Sequence, residues 1–386
     1  MDFWNNVYEK LVAKTKAECE RTGSAIPYTP VDGRYVDLQA GAGISWWTNG
    51  FWSGLLWQMY NATQDENYKN AACDVEKRMD EAFEKFLGLH HDVGFQWLHT
   101  SVANYRLTGD TDARRRGLHA AFILAGRYNP AGKFIRAWNQ DKTGWSIVDT
   151  MMNLPLLYWA SNELDDPRFA YIANSHADTC MNTILRPDGS CHHVVDLDPH
   201  TGEMLDPFES IKEPIGKGTD PRTGGQGYGP GSSWSRGNSW ALYGYALCYH
   251  YTKEQRFLDA AKRIAHYFIS NLALNDWLPL VDFRAPAEPV LYDSSAGMIA
   301  ACGLLEIAEH VPELEKHMYT ESAHKVIMAC EKKFCNWDNN VDGIMYGGTA
   351  AYKSQGAGTD GTSLIYGDYF FIEAVLRVLG KGFRIW

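Results

Sequence analysis

No stretch of this 386-residue chain approaches the eighteen consecutive apolar residues that a membrane span needs. Basic charge is scarce as well: 36 Lys and Arg against 47 Asp and Glu leave a net charge of -11, which gives no cationic footprint for nucleic acid or for an anionic membrane. A composition that is 45% hydrophobic and 22% charged excludes a disordered chain. The eight cysteines are scattered without any C-x-x-C spacing, which suits reduced, structural thiols. The opening Met1-Asp2-Phe3-Trp4-Asn5-Asn6 has neither the basic segment nor the apolar run of a secretory signal, so the expected compartment is the cytoplasm. No Pro/Gly/Ser-rich linker divides the sequence, and residues 1–386 are expected to form one catalytic domain.

Several kinds of chemistry are missing too. His90-His91 and His192-His193 are adjacent pairs and not an H-E-x-x-H site, so no zinc site is expected. Asp338-Asn339-Asn340-Val341-Asp342-Gly343 begins like a calcium loop, but Thr349 stands where the bidentate Glu belongs, which leaves a tight turn as the expectation. The run GGQGYGPG lacks the spacing of a dinucleotide fingerprint, and neither G-x-S-x-G nor a Cys/His nucleophile signature occurs.

What the chain does have is aromatic rings, 14 Trp, 21 Tyr and 16 Phe, whose flat faces suit sugar rings. It also has faint internal repeats. Residues 61–73, 106–118, 162–174 and 251–263 each read as the end of an apolar helix, a short acidic or polar turn, and the start of a second helix. Further helices are expected near 293–310 and 366–379. The first helix is amphipathic, with Phe3, Val7 and Leu11 at i+4 spacing, Asp2 as N-cap and Gly23 beyond its end. By contrast 46–60, 147–160, 240–251 and 366–379 are apolar on nearly every face. Alternating half-exposed and fully covered helices predict six hairpins closed into an all-α (α/α)6 barrel, which answers the size limit of a single simple core. Residues 187–235 break the pattern and predict a β-hairpin followed by a long glycine-rich loop of functional length.

In such a ring all inner helices start at one rim. Thr48-Asn49, Asp92, Asp149, Arg236-Gly237-Asn238, Asp293 and Asp368 are therefore expected to converge there. Each Asp alone is explained as a helix cap. Several around one pocket supply paired carboxylates, one held protonated by the other, which is the equipment of glycosidic hydrolysis. Arg236 and Trp240 lie four apart, offering a guanidinium for a carboxylate and a ring for a sugar. Gln226 in the glycine loop and His193 on the strand are polar lid candidates. Pro155, six residues after Asp149, predicts an irregular first turn or a kink there.

At these residues the sequence resembles the unsaturated glucuronyl hydrolases of glycoside hydrolase family 88 over nearly its whole length. The resemblance rests on Trp47-Thr48-Asn49-Gly50-Phe51-Trp52, His91-Asp92-Val93-Gly94-Phe95, Arg136-Ala137-Trp138-Asn139, Val148-Asp149-Thr150-Met151-Met152-Asn153 and Gln226-Gly227-Tyr228 with Trp234-Ser235-Arg236-Gly237-Asn238-Ser239-Trp240. The last element is shared with the unsaturated rhamnogalacturonyl hydrolases of family 105, and the H-D-x-G-F segment favours family 88. The resemblance implies an (α/α)6 barrel acting on lyase-generated oligosaccharides with a 4,5-unsaturated uronic acid at the non-reducing end. It implies that Asp149 protonates C4 and then activates water for C5, that Asp92 is the second essential carboxylate, and that Arg236, His193 and Gln226 lie near the uronate. Trp47, Trp138 and Trp240 match aromatic walls, and no metal or organic cofactor is implied. Two other readings compete: an inverting glycosidase on saturated sugars with Asp92 and Asp149 as base and acid, and a helical-repeat scaffold binding a protein partner. The parent polysaccharide and the oligomeric state are not legible.

Overall fold

A computed structural model describes residues 2–37, 43–139, 142–212, 215, 219–353 and 359–386. The Ser/Thr/Lys-bearing stretch after Gly347 reads in the sequence as a loop able to touch the leaving sugar, and its residues 354–358 lie outside the described residues.

Helices alternate between an outer and an inner ring. The outer members are Asp2–Thr22, Glu66–Arg78, Thr111–Ala125, Arg168–Thr183, Gln255–Ala273 and Glu313–Phe334. Each is followed by an inner member: Phe51–Thr63, the run Val93–Trp97 that continues through a π-turn to Ala103–Thr108, Leu154–Leu164, Ser235–Thr252, Ser294–His310 and Ile365–Val378. The last inner helix packs on the first and closes the (α/α)6 barrel. Burial follows the sequence pattern: every residue from Ser235 to Cys248 is covered, whereas Gln255–Ala273 buries one stripe.

The faint repeats have a physical cause. Each marks the turn from an inner to an outer helix, and each turn needs a left-handed residue: Gln64, Gly109, Asp165 and Lys253, with φ of 61, 76, 50 and 57°. At the first two turns the acid that follows caps the next helix, Asp65 accepting from the Asn67 N–H and Asp110 from those of Asp112 and Ala113.

At the end of the barrel where the inner helices finish, Phe383–Trp386 is drawn inward. The Trp386 ring is fully buried, stacks on Phe370 with centroids 5.7 Å apart, and donates its Nε1–H to Glu373 at 2.9 Å. Arg106 donates to the carbonyls of Arg384, Ile385 and Trp386.

Two expected helices start later than their apolar runs. Residues 46–50 form turns, and the first inner helix opens at Phe51, because Asn49 donates back to the Gly43 and Ile44 carbonyls. Ile147, expected to open the third inner helix, instead ends a strand, Trp145–Ile147, which is followed by a 3-10 turn, Val148–Met152, with the α-helix starting at Leu154. Pro155 sits in that helix's first turn, where its missing N–H costs nothing, so the expected irregularity at Asp149 is present. The expected hairpin after His193 is closed by a Leu197–Met204 bridge, and on its other edge Val194–Asp196 pairs antiparallel with Trp145–Ile147. Backbone bonds knit this rim together: the His91 N–H donates to Ala137, that of Ala137 to Trp145, and that of Val148 to His193.

Candidate active site

The starts of four inner helices and this knitted rim enclose a cavity of about 630 Å³. Asp92, Asp149, Trp47, Trp138, His193, Gln226 and Arg236 line it, together with Trp46, His90, His91, Lys142 and Trp234.

Neither central carboxylate is spent on capping. Asp92 precedes Val93–Trp97 and Asp149 lies in the 3-10 turn, and no N–H of its own helix reaches either side chain. Asp92 is 7% exposed. Burial drives its carboxyl well above the usual carboxylate range, and the Asp149 charge drives it further; the Asn153 amide and the Arg127 guanidinium pull the other way. Burial keeps both flanking imidazoles neutral, His90 pushed down to about 4 and His91 well below its ordinary value. Their ring nitrogens stand 3.4 Å from Asp92 Oδ2. His91 meets Thr150 Oγ1 through Nδ1 at 2.6 Å, so an Nε2–H faces the carboxylate when that hydroxyl donates.

Asp149 Oδ1 is buried without a hydrogen-bond partner, and His193 Nε2 stands 3.6 Å from it. The tautomer of His193 follows from the loop. The Gln226 N–H donates to Nδ1 at 2.9 Å, which leaves the proton on Nε2, facing Asp149. That approach requires glycine before it: Gly225 has φ +67°, and a Cβ there would meet His193 Nδ1 at 2.2 Å.

Arg236 is 1% exposed and largely committed. It pairs with Asp293, donates to the Thr349 and Ala350 carbonyls and meets Ser295, while Trp234 and Tyr366 stack on the guanidinium. Its Nε–H has no partner, and neither has the Trp234 Nε1–H. Two unanswered donors and one unanswered acceptor, on side chains that line one cavity, are what a polar ligand satisfies. The walls are aromatic. Trp47 packs against Tyr366 at 4.9 Å, and Arg127 fixes the Trp138 segment by donating to the carbonyls of Arg136, Ala137 and Trp138.

Three sequence expectations are corrected. Trp240 is not on the wall: it is wholly buried against Phe95 and Phe370, because its position turns it toward the barrel axis. Asp293 lies beneath the cavity as the counter-ion of Arg236, and Asp368 is farther in, accepting from the backbone N–H groups of Ile344 and Met345 and from Tyr35 and Ser363. Thr48 and Asn49 are buried behind Trp47 and do not line the cavity. Sequence reading missed Asn153, His91 and Trp234 as site residues, although all three lie within the motifs.

Metal-like clusters exist among the described residues. His90, His91 and Asp92 bring ligand atoms within 4.8 Å of one another, as do His250, Glu306 and His310. In the second, Arg377 and Arg384 already answer Glu306, and their charges oppose a cation.

A closed helical barrel with a carboxylate pair in an aromatic cavity defines a carbohydrate-cleaving enzyme, and comparison with known proteins places it. Residues 29–251 match the model of Glycosyl Hydrolase Family 88, and the chain belongs to that family of glycoside hydrolases. It is 34% identical over 341 residues to the unsaturated glucuronyl hydrolase of Bacillus sp. (strain GL1), covering 86% of each chain. It is 33% identical to the unsaturated chondroitin disaccharide hydrolase of Streptococcus pneumoniae (strain ATCC BAA-255 / R6), covering 86% of this chain and 81% of that one. The solved Bacillus sp. GL1 enzyme superposes with a TM-score of 0.86 at 31% identity, covering 97% of this chain and 96% of the other. A mutant of the Streptococcus agalactiae enzyme, complexed with dGlcA-GalNAc6S, superposes at 0.80 with 26% identity, covering 98% and 93%.

Proposed function

We propose that this enzyme releases the 4,5-unsaturated uronic acid from the non-reducing end of lyase-generated, glycosaminoglycan-type oligosaccharides by hydrating the C4=C5 vinyl ether. The observation that carries the reading is the Asp92–Asp149 pair lining one aromatic cavity, where Asp149 Oδ1 is buried and unanswered by the protein's own donors. Asp149 acts as the acid and places the proton on C4. The oxocarbenium character that develops at C5 is stabilised by the carboxylate pair. Asp149, now ionised, takes a proton from water as the water oxygen bonds C5. The hemiketal formed opens and frees the remaining sugar. Asp92 holds ring hydroxyls and the His193 Nε2–H steers Asp149.

The uronate carboxylate accepts the unanswered Nε–H of Arg236, with Trp234 and Gln226 beside it, and Trp47 and Trp138 flank the sugar rings. The relatives named for unsaturated glucuronyl and chondroitin disaccharide substrates support this class. Residues 1–386 work as one catalytic domain. Eight unpaired cysteines fit a reducing, cytoplasmic setting, and among the described residues no helix is long and apolar enough to cross a membrane.

Loss of the ultraviolet absorbance of the conjugated double bond, followed on a panel of unsaturated disaccharides, tests the reading. Wild-type protein is expected to bleach the band and Asp149→Asn to leave it intact while remaining folded. A flat wild-type trace would refute the reading.

A further inference from the structure

Asn153 has no assigned task, yet it is the most connected polar side chain between the two carboxylates. It stands where the 3-10 turn carrying Asp149 gives way to the helix Leu154–Leu164, its backbone bent to φ -92° and ψ -15°. The side chain is fully buried. Its Oδ1 accepts the Phe95 N–H at 2.8 Å, in the first turn of the helix that Asp92 begins. Its Nδ2 donates in two directions, to Asp92 Oδ1 at 3.3 Å and to the Asp149 carbonyl at 3.1 Å. One planar amide thus ties one carboxylate directly and the backbone of the other.

The surroundings are built for this approach. A Cβ on Gly94 would lie 2.6 Å from both Asn153 Cα and Oδ1, so only glycine at 94 lets the two segments close on the amide. Only an amide meets all three demands. A carboxylate keeps the acceptor for Phe95 but loses both donors, and an aliphatic side chain loses all three bonds.

We propose that Asn153 is a positioning residue that fixes the distance and relative orientation of the Asp92 and Asp149 carboxylates, and so decides which of them holds the proton they share. The inference rests on the roles given above to Asp149 as the acid and then the base and to Asp92 as its partner carboxylate. The groups facing Asp92 from every packed element are His90, His91, Arg127 and Asp149. Asn153 differs from them in touching both halves of the pair. Its amide opposes the upward push of burial on Asp92, so its removal frees that carboxyl to rise further.

The test uses the full chain with Asn153→Asp and Asn153→Ala. The aspartate variant preserves volume and the Phe95 bond, and keeps the test valid if the alanine variant does not fold. Two readouts are taken: kinetics on an unsaturated disaccharide, and the pH titration of the site carboxylates by carbon-13 NMR of Asp-labelled protein, assigned with Asp92→Asn. Both variants are expected to lose about 10²-fold or more in kcat with a much smaller change in KM. The Asp92 resonance is expected to titrate about one pH unit higher than in wild type. A packing role alone would lower Tm and leave the titration and kcat in place, and that result overturns the proposal. If wild-type protein fails to bleach the substrate, the substrate assignment falls. The titration needs no substrate and still decides the role of Asn153.

Discussion

Asp92 carries a charge-bearing group into a place that disfavours charge, and that has a measurable sign. A carboxyl whose folded value is raised is neutral in both states below the ordinary range near 3.9, and costs nothing there. As pH climbs from that range through the raised value, the unfolded chain ionises first and folding loses stability. Replacing the group with a neutral isostere removes the loss. Asp92→Asn is therefore expected to raise stability at neutral pH by about 1 to 2 kcal/mol while abolishing turnover. Thermal unfolding at pH 4 and pH 7 checks it, with the difference from wild type expected to shrink at the lower pH. Arg236 makes a second case. Three bonds to Asp293, Thr349 and Ala350 need a fork of donors, so Arg236→Lys is expected to lose most of kcat/KM, about 10²-fold, although the charge is kept. Wild-type kinetics in that variant would show that charge alone suffices.

At the scale of elements, the loop around Gly225 sets the state of a residue on another segment. Since the Gln226 N–H fixes the proton of His193 on Nε2, a side chain at 225 is expected to displace that ring and leave Asp149 without its neighbour. Gly225→Ala should reduce kcat by about 10-fold to 10²-fold and lower Tm through the strain of a side chain at positive φ, about 1 kcal/mol or more, read by kinetics beside calorimetry. The same elements mark how far sequence reading reaches. The inner helices were legible because continuous burial leaves continuous apolar runs, and the inner-to-outer turns because left-handed caps and acidic N-caps recur. The pairing of Trp145–Ile147 with Val194–Asp196 was not, since three residues are too few to show an alternating pattern. Seven of the eight site residues expected from motifs line the cavity, and Trp240 failed because a four-residue spacing fixes a helix face but not which way that face looks. Asn153 was missed for a related reason: its three partners belong to bonds that only the fold creates.

The whole molecule is a ring whose two ends differ. One carries the cavity; the other is filled by Trp386 and the Arg106 bonds beneath it. Trp386→Ala would leave a void against Phe370 and take the donor from Glu373 Oε2, and is expected to cost about 3 to 5 kcal/mol, seen as a fall in Tm well before any change in KM. The turn at Asp338–Gly343 offers another global consequence. Its carbonyls at Asp338 and Val341 converge on the buried ammonium of Lys14, which sits 3.7 Å from Glu18, while Glu18 accepts the Gly343 N–H. A lysine from the first helix thus supplies this turn with a cation, bound through its carbonyls and not through the side chains that a calcium loop uses. The protein brings its own counter-ion, covalently tethered and present at unit stoichiometry. Its melting temperature should therefore be indifferent to calcium and to chelators, yet fall sharply in Lys14→Met: a loop that reads as a sensor of its medium has been made deaf to it.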